Sequence, residues 1–216
     1  LADAAAPPAT TRVSGVLLLD TAVDAFADVR LSGDLLVASA ALDRSLADLS
    51  RGGLFTLPPS ASDLRGRATY AAQVGGTLAG PTFTGPLEAT NVATAWLRDA
   101  AVRTTMALTR KDLSLEDIDL RAGGNAGEGR VHLAFDGAGT SPARALTGSL
   151  TLRISDFAAL DDTHVRKVDP RGRLDVQVAL AGTAAAPSAS FDITSTGFSV
   201  GGQAPMALSV SGRADR

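Results

Sequence analysis

The feature of this sequence that most limits its fold is an alternation of apolar and polar residues with a period of two. Leu150, Leu152 and Ile154, for example, alternate with Thr151 and Arg153. Runs of the same kind occur at 29–37, 83–90, 102–109, 131–136, 174–180 and 206–210. Because successive side chains of a strand point to opposite faces, the pattern predicts strands with one buried and one wet face. We count roughly 11 such segments of about 6–10 residues, near the usual strand length.

The sequence therefore predicts an all-β chain with one or two short helical turns. Residues 41–50 have helical spacing, and Asp43 is a candidate cap for the turn that follows it. A single turn is expected at 156–161, whereas residues 93–101 around Trp96 stay ambiguous. The alternation slips once, between Leu115 and Ile118, and a β-bulge there would return both residues to one face.

Composition narrows the class of protein further. Hydrophobic residues make up 45% of the chain but aromatic residues only 4%, so the buried face must be largely aliphatic. The net charge of −3 and the scattered arginines argue against a nucleic-acid partner. The chain contains no cysteine, which excludes disulfides and thiolate chemistry, and it has no run of 18 apolar residues. We expect it to be an internal piece of a longer protein.

An internal repeat is the second strong signal. The segment from Gly66 to Pro81 returns as the segment from Gly172 to Pro187, at an offset of 106 residues and without a gap. Upstream, residues 31–35 (LSGDL) return as residues 146–150 (LTGSL). We therefore predict a single repeated β domain over 1–216, with one unit at 29–136 and a truncated second unit at 144–216. Repeated strands favour an elongated, antiparallel-rich sheet that grows by stacking over a closed globule.

The recurring pattern Gly-x-Leu-x-x-x-Leu-x-Leu-x-Gly-Thr-x-x-x-Pro resembles a known family. Here it reads from Gly172 through Leu180 and Gly182-Thr183 to Pro187, after an Asp-Phe-Ala-Ala-Leu turn at 156–160. This is similar to the AsmA-like superfamily, and within it to the translocation and assembly module B (TamB) family. The likeness covers most of residues 29–213, and segments 51–65 and 93–101 match nothing in it.

The resemblance implies a bacterial, periplasmic segment of a cell-envelope protein that is anchored in the inner membrane. It implies a curved, taco-like sheet whose apolar groove carries phospholipid acyl chains between the inner and outer membranes. It also implies a link to outer-membrane protein assembly through a barrel partner. The family brings no catalytic residues and no cofactor, so a non-enzymatic protein without a cofactor is expected.

On this interpretation the inward residues of the strands line the groove and contact acyl chains without specificity. The alternation selects fifteen of them: Leu31, Leu35, Val37, Phe83, Leu87, Met106, Leu108, Leu133, Phe135, Leu150, Leu152, Val176, Val178, Phe191 and Ile193. The sequence leaves open whether this face is an open trough or the closed core of a structural or adhesive surface protein. A polysaccharide hydrolase, the other rival, would need carboxylates that converge in a cleft.

Few residues offer chemistry of another kind. His132 should lie on the polar face, and Asp161, Asp162 and His164 crowd into one loop that favours solvation over a metal site. The acidic residues Glu116, Asp117 and Asp119 favour a solvated face over acid–base catalysis or calcium binding. The glycine-rich segment 123–127 lacks the lysine of a phosphate loop and is expected to be a hairpin turn. Trp96 is expected in the core beside Leu97 and not at an interface.

Overall fold

The part of the chain that the structure describes folds mainly as β-strands, as expected. The computed structural model describes residues 11–20, 26–51, 64–94, 97–134, 145–160, 169–183 and 186–215. The strands are β1 Thr11–Asp20, β2 Arg30–Ser39, β3 Arg65–Gly76, β4 Pro81–Ala93, β5 Ala100–Leu108, β6 Asp112–Ala122, β7 Asn125–Ala134, β8 Leu146–Ile154, β9 Pro170–Arg171, β10 Leu174–Gly182, β11 Pro187–Val200 and β12 Met206–Asp215.

All twelve strands belong to one antiparallel sheet in chain order. Each strand pairs with the strands before and after it, except that the short β9 pairs only with the end of β11, so that β8 lies beside β10. At about 4.8 Å between neighbours, eleven side-by-side strands make a sheet of about 50 Å across the strands. The topology is an elongated meander whose two outer strands, β1 and β12, form its open edges.

Helical structure is confined to the connections. Helix α1, Leu42–Arg51, occupies the segment predicted to be helical. The helix begins before Asp43, so this residue lies in the first turn, where its charge suits the helix dipole, and the prediction that it caps the helix is wrong. The predicted turn after β8 is a 3-10 turn, Phe157–Ala159, and Asp156 caps it by accepting a hydrogen bond from the Ala158 amide at 3.1 Å.

The predicted bulge in β6 is present. The pairing of β6 with β7 runs regularly to Leu115 opposite Val131 and resumes one residue out of step at Ile118 opposite Gly129. Asp117 lies in the bulge and has a positive φ of 54°. Leu115 and Ile118 consequently share one face of the sheet, as the slip in the alternation indicated.

The repeat is visible in the strand registers. Leu35 lies opposite Ala72 in the β2–β3 pair, and Leu150 lies opposite Val178 in the β8–β10 pair, at the offsets seen in the sequence. Four registers recur in this way: those of β1–β2, β2–β3, β3–β4 and β4–β5 match those of β7–β8, β8–β10, β10–β11 and β11–β12. The bulge that follows Ala89 in β4 returns after Ser195 in β11. Only β6 has no counterpart among the described strands.

The turn at the end of each repeated block is the same. Gly76 and Gly182 have positive φ values of 84° and 94°, a conformation that favours glycine. The amides of Thr77 and Thr183 then donate to the carbonyls of Gly80 and Ala186, at 3.2 and 3.1 Å. Pro81 and Pro187 begin the next strands, where a missing amide donor is tolerated. The repeated Gly-Thr-x-x-x-Pro motif is therefore a tight connection between two antiparallel strands.

The sheet has little enclosed interior. The chain exposes 13964 Å², whereas a compact monomer of 21.9 kDa exposes about 9300 Å². No large side chain among the described residues is less than 2% exposed. The molecule is thus an open layer with two large faces, and the character of those faces decides what it can bind.

Candidate functional site

The two faces of the sheet differ sharply in chemistry. Residues directly opposite each other in antiparallel strands lie on the same face, so the registers assign every strand residue to one side. We call the side that carries Leu35, Leu150 and Val178 the apolar face and the other side the outer face. Within the described strands, every Asp, Glu, Arg and His of β1–β12 outside the Asp117 bulge falls on the outer face.

The sequence-predicted lining residues come together on the apolar face. Unbroken rows cross the sheet from strand to strand; one runs from Gly129 on β7 through Leu150 and Val178 to Phe191 on β11. Fourteen of the fifteen predicted residues share this side: Leu31, Leu35, Val37, Phe83, Leu87, Met106, Leu108, Leu133, Leu150, Leu152, Val176, Val178, Phe191 and Ile193. Phe135 lies outside the described residues.

The apolar face is not sealed. Of those fourteen side chains only Val176 is buried, at 9% relative exposure, and the others are partly exposed. In a closed two-sheet sandwich, central Leu, Ile and Phe side chains are typically lost from solvent altogether. The described strands form a single sheet, so no second sheet of theirs covers this face. The apolar side chains instead bury themselves partly against one another.

Glycine residues leave shallow depressions in the apolar face. Gly127, Gly129 and Gly148 sit on it, and a Cβ placed on Gly127 would lie 2.7 Å from Leu152 Cδ2. The Leu152 side chain therefore folds over a position that has no side chain of its own. Such glycines leave room above the backbone between the rows of leucine and valine.

Polar groups on the apolar face are already satisfied. The buried Thr104 hydroxyl donates to the Glu116 carbonyl at 2.7 Å, and the Tyr70 hydroxyl donates to the Met106 carbonyl at 3.3 Å. Among the described residues, no buried side-chain nitrogen or oxygen lacks a partner. Binding of an apolar ligand would therefore not leave a polar group on this face without a hydrogen-bond partner.

One end of the strands is covered by the connections. Val92, Ala100 and Ala122 form a small buried cluster, against which Leu42 of α1 and Leu97 pack. The Leu97 region is tied in turn to the 3-10 turn after β8, because the Arg98 amide donates to the Ala159 carbonyl at 3.4 Å. Within the ambiguous segment 93–101, β4 ends at Ala93 and β5 begins at Ala100, while residues 95 and 96 lie outside the described residues. Helix α1 and the 3-10 turn after β8 thus lie at this end of the strands.

Ion pairs mark the outer face as the wet side. Arg103 and Glu88 lie 3.4 Å apart and Arg213 and Asp215 2.8 Å apart, all well exposed. Such pairs contribute little to stability, about 0–1 kcal/mol each. The hydrogen bond from Arg173 to Asp175, 2.6 Å long, holds the pKa of that carboxyl below its usual value. The outer face is a conventional solvated surface along most of its length.

The other candidate residues do not assemble a reactive centre. His132 is exposed on the outer face, as predicted. Asp119 is held by Arg121 at 3.2 Å, while Glu116 and Asp117 are exposed at the bulge. The Gly123-Gly124 pair forms the predicted hairpin turn, joining Ala122 to Asn125. Asp161, Asp162, His164 and Trp96 lie outside the described residues. In the part of the chain that is described, no three acidic, histidine or cysteine residues cluster closely enough to hold a metal ion.

Sequence reasoning missed part of the apolar face. Strand β1 contributes Val13, Leu17 and Leu19, which its run VLLL hides because three leucines follow one another. The buried Tyr70, Ala72 and Val74 of β3 were also missed as lining residues. Their alternation with Thr69, Ala71 and Gln73 is the sequence pattern that indicates a strand with one apolar face. Ala71 and Ala72 weaken this pattern, because alanine occurs on both faces.

Sequence reasoning also missed a buried brace at the β6–β7 hairpin. The Asn125 side-chain oxygen accepts from the amides of Ser155 and Asp156, at 2.9 and 2.8 Å, and its nitrogen donates to the Asp156 carbonyl at 2.8 Å. Asp156 reaches back to the Gly124 amide at 3.3 Å. These bonds fix the hairpin to the end of β8, and a lone asparagine after two glycines gave no sign of them.

No protein-family model, curated protein or solved structure matches this chain. Among the described residues, no helix has both the length and the apolar character needed to cross a membrane.

Proposed function

We propose that the apolar face binds the acyl chains of phospholipids and shields them from water, without catalysing a reaction. The observation that carries this proposal is a wide apolar face, free of charged side chains within the described strands and only partly buried. The headgroups would stay in water at the rim of the sheet, beyond the reach of the apolar rows.

The energetics favour such a ligand. Burial of apolar surface gains about 25 cal/mol per Å², or about 0.8 kcal/mol per methylene, so a tail that buries ten methylenes gains up to about 8 kcal/mol before ordering costs. Fluid tails fit a surface of Leu, Val and Phe without specific polar contacts. Binding of this kind is non-specific and reversible, which suits a surface along which lipids move.

The biological setting belongs to the same proposal. The resemblance of the repeat to the TamB family supports a periplasmic segment of an inner-membrane-anchored bridge, along which phospholipids travel between the inner and outer membranes. A barrel partner in outer-membrane protein assembly would follow from the same resemblance. The open edge at β12 supports this, since further strands of the same kind would extend the apolar face there.

Site-specific photo-crosslinking tests the proposal directly. A benzophenone amino acid at Leu150, on the apolar face, should label phospholipid when the protein is purified from bacterial membranes. The same probe at Ser149, the preceding residue on the outer face, should not. Leu36 is a sharper control, because it is apolar and 43% exposed but lies on the outer face.

Labelling at Leu150 alone supports acyl-chain binding by the apolar face. Equal labelling at Leu150 and Leu36 would show attraction to any apolar surface and would reject the proposal. Absence of lipid at Leu150, with the variant folded by circular dichroism, would instead favour the alternative of a structural or adhesive surface protein.

A further inference from the structure

The outer face carries an apolar patch near β1 that breaks its otherwise polar character. Val16 and Leu18 of β1 and Leu36 of β2 are 65%, 62% and 43% exposed. Val16, Leu36, Ala71 and Pro86 line one shallow concavity of about 670 Å³ on this side. We call Val16, Leu18, Leu36, Ala71 and Pro86 the outer patch. It lies on the face opposite the proposed lipid surface, which therefore does not explain it.

The second half of the repeat shows what these positions normally hold. The registers make β1 the counterpart of β7, β2 of β8, β3 of β10 and β4 of β11. The counterparts of the five outer-patch residues are Arg130, His132, Thr151, Gln177 and Asp192, in the same order. Five apolar residues thus stand where the same fold in the same chain has five polar ones. This difference points to a covering partner in the first half only.

The edge of the sheet at β1 is the second observation. Strand β7 is paired on its far side by β6, whereas no described strand pairs with the far side of β1. The apolar-face residues Val13, Leu17 and Leu19 are 55–61% exposed, so β1 exposes large apolar side chains on both faces. An exposed apolar edge strand is a ready template for another strand.

We propose that β1 pairs antiparallel with β1 of a second copy of this chain, giving a two-fold symmetric dimer with one continuous sheet. The side chains of β1 restrict which kind of strand can pair with its open edge. The outer residues of β6, among them Ser114, face polar residues of β7, and a strand of that type would set polar groups against Val16 and Leu18. Among the described strands, only β1 has valine or leucine side chains that are more than half exposed on both faces.

The ends of β1 are complementary to each other. With Val16 opposite Val16 across the two-fold axis, Arg12 of each copy lies opposite Asp20 of the other. Arg12 and Asp20 are both outer-face residues, Arg12 opposite Ala38 and Asp20 opposite Arg30 in their own sheet. The register also sets Val13 opposite Leu19 on the apolar face. A symmetric interface requires such self-complementarity of charge and shape.

Cysteine crosslinking and light scattering test the dimer. The chain has no cysteine, so Val16→Cys creates a single thiol that the proposed register places beside its copy, within about 4.5–5.5 Å between Cβ atoms. Oxidation should give a covalent dimer at micromolar concentration. Ser211→Cys, on the outer side of the other edge strand β12, is the matched control and should give no covalent dimer.

The repeat supplies the disrupting variant. The double variant Val16→Arg, Leu18→His replaces two residues of β1 by their counterparts in β7. Both positions are exposed, so the variant should still fold. Light scattering should give the wild-type chain twice its 21.9 kDa mass, and the double variant a dimer dissociation constant raised by about tenfold or more.

Three results would overturn the dimer. They are a monomeric wild-type chain up to millimolar concentration, equal crosslinking of the two cysteine variants, and a dimer that the double variant leaves intact. Vesicle binding by a monomer that the double variant abolishes would assign the outer patch to a lipid surface instead.

Discussion

At the scale of single residues, Asn125 shows how one side chain joins distant parts of the sheet. Its amide satisfies two backbone N–H groups and one carbonyl between β8 and the 3-10 turn, and it is only 5% exposed. Asn125→Ala leaves two backbone donors without partners, so we expect a loss of about 2–3 kcal/mol in the free energy of unfolding. Urea denaturation measures this loss.

A conservative variant separates the two halves of the Asn125 amide. Asn125→Asp keeps the acceptor for the two amides but sets a carboxylate oxygen against the Asp156 carbonyl in a site that is only 5% exposed, so it should be destabilised at least as much as the alanine variant. An alanine variant as stable as the wild type would show that water replaces the brace.

Tyr70 is a second residue whose buried environment leads to a testable prediction. Burial raises the pKa of its phenol above the usual 10.0 while its hydroxyl donates to the Met106 carbonyl. Because the folded state holds the proton more tightly, the resulting stability is present below pH 10 and is lost as the pH rises through the folded-state pKa. Tyr70 is the only tyrosine, so absorbance at 295 nm follows its ionisation alone. Titration at or below pH 10 in the folded protein would contradict this environment.

At the scale of elements, the alternation predicted most strands because each has one wet and one apolar side. The bulge between Leu115 and Ile118 was predictable for the same reason, since only an extra residue returns both to one face. Strand β1 was not, because Val16 and Leu18 on its outer face interrupt the period of two. The prediction that Asp43 caps α1 was wrong, because helical spacing does not mark the first residue of a helix and α1 already begins at Leu42.

The bulge gives a test of register. Deleting Asp117 leaves Leu113, Leu115, Ile118 and Leu120 in strict alternation, so β6 should still pair with its apolar residues inward. We expect a loss of only about 1–2 kcal/mol, largely from the Thr104 hydrogen bond to Glu116.

Inserting one serine after Thr151 is the matched control for that deletion. It should unfold β8, because the insertion turns Leu152 and Ile154 to the wet side. Equal tolerance of the deletion and the insertion, measured by thermal denaturation, would refute the one-sided character of the sheet.

At the scale of the whole molecule, a single layer in chain order should behave as a one-dimensional array. Each strand contacts mainly its neighbours, so opening should start at the edges and move inward. Under conditions that keep the chain monomeric, amide hydrogen exchange should be fastest in β1 and β12 and slowest in the central strands β5–β8. Uniform protection along the sheet would instead indicate a globule that opens as one unit.

Acyl-chain binding requires that one apolar face remain available to lipid. Organic extraction of the chain purified from bacterial membranes, followed by mass spectrometry, measures bound phospholipid directly. We expect co-purifying phospholipid in the wild type and in Ser149→Arg, and a marked loss in Leu150→Arg. A lipid-free wild type, or equal lipid in the two arginine variants, would contradict the proposed function.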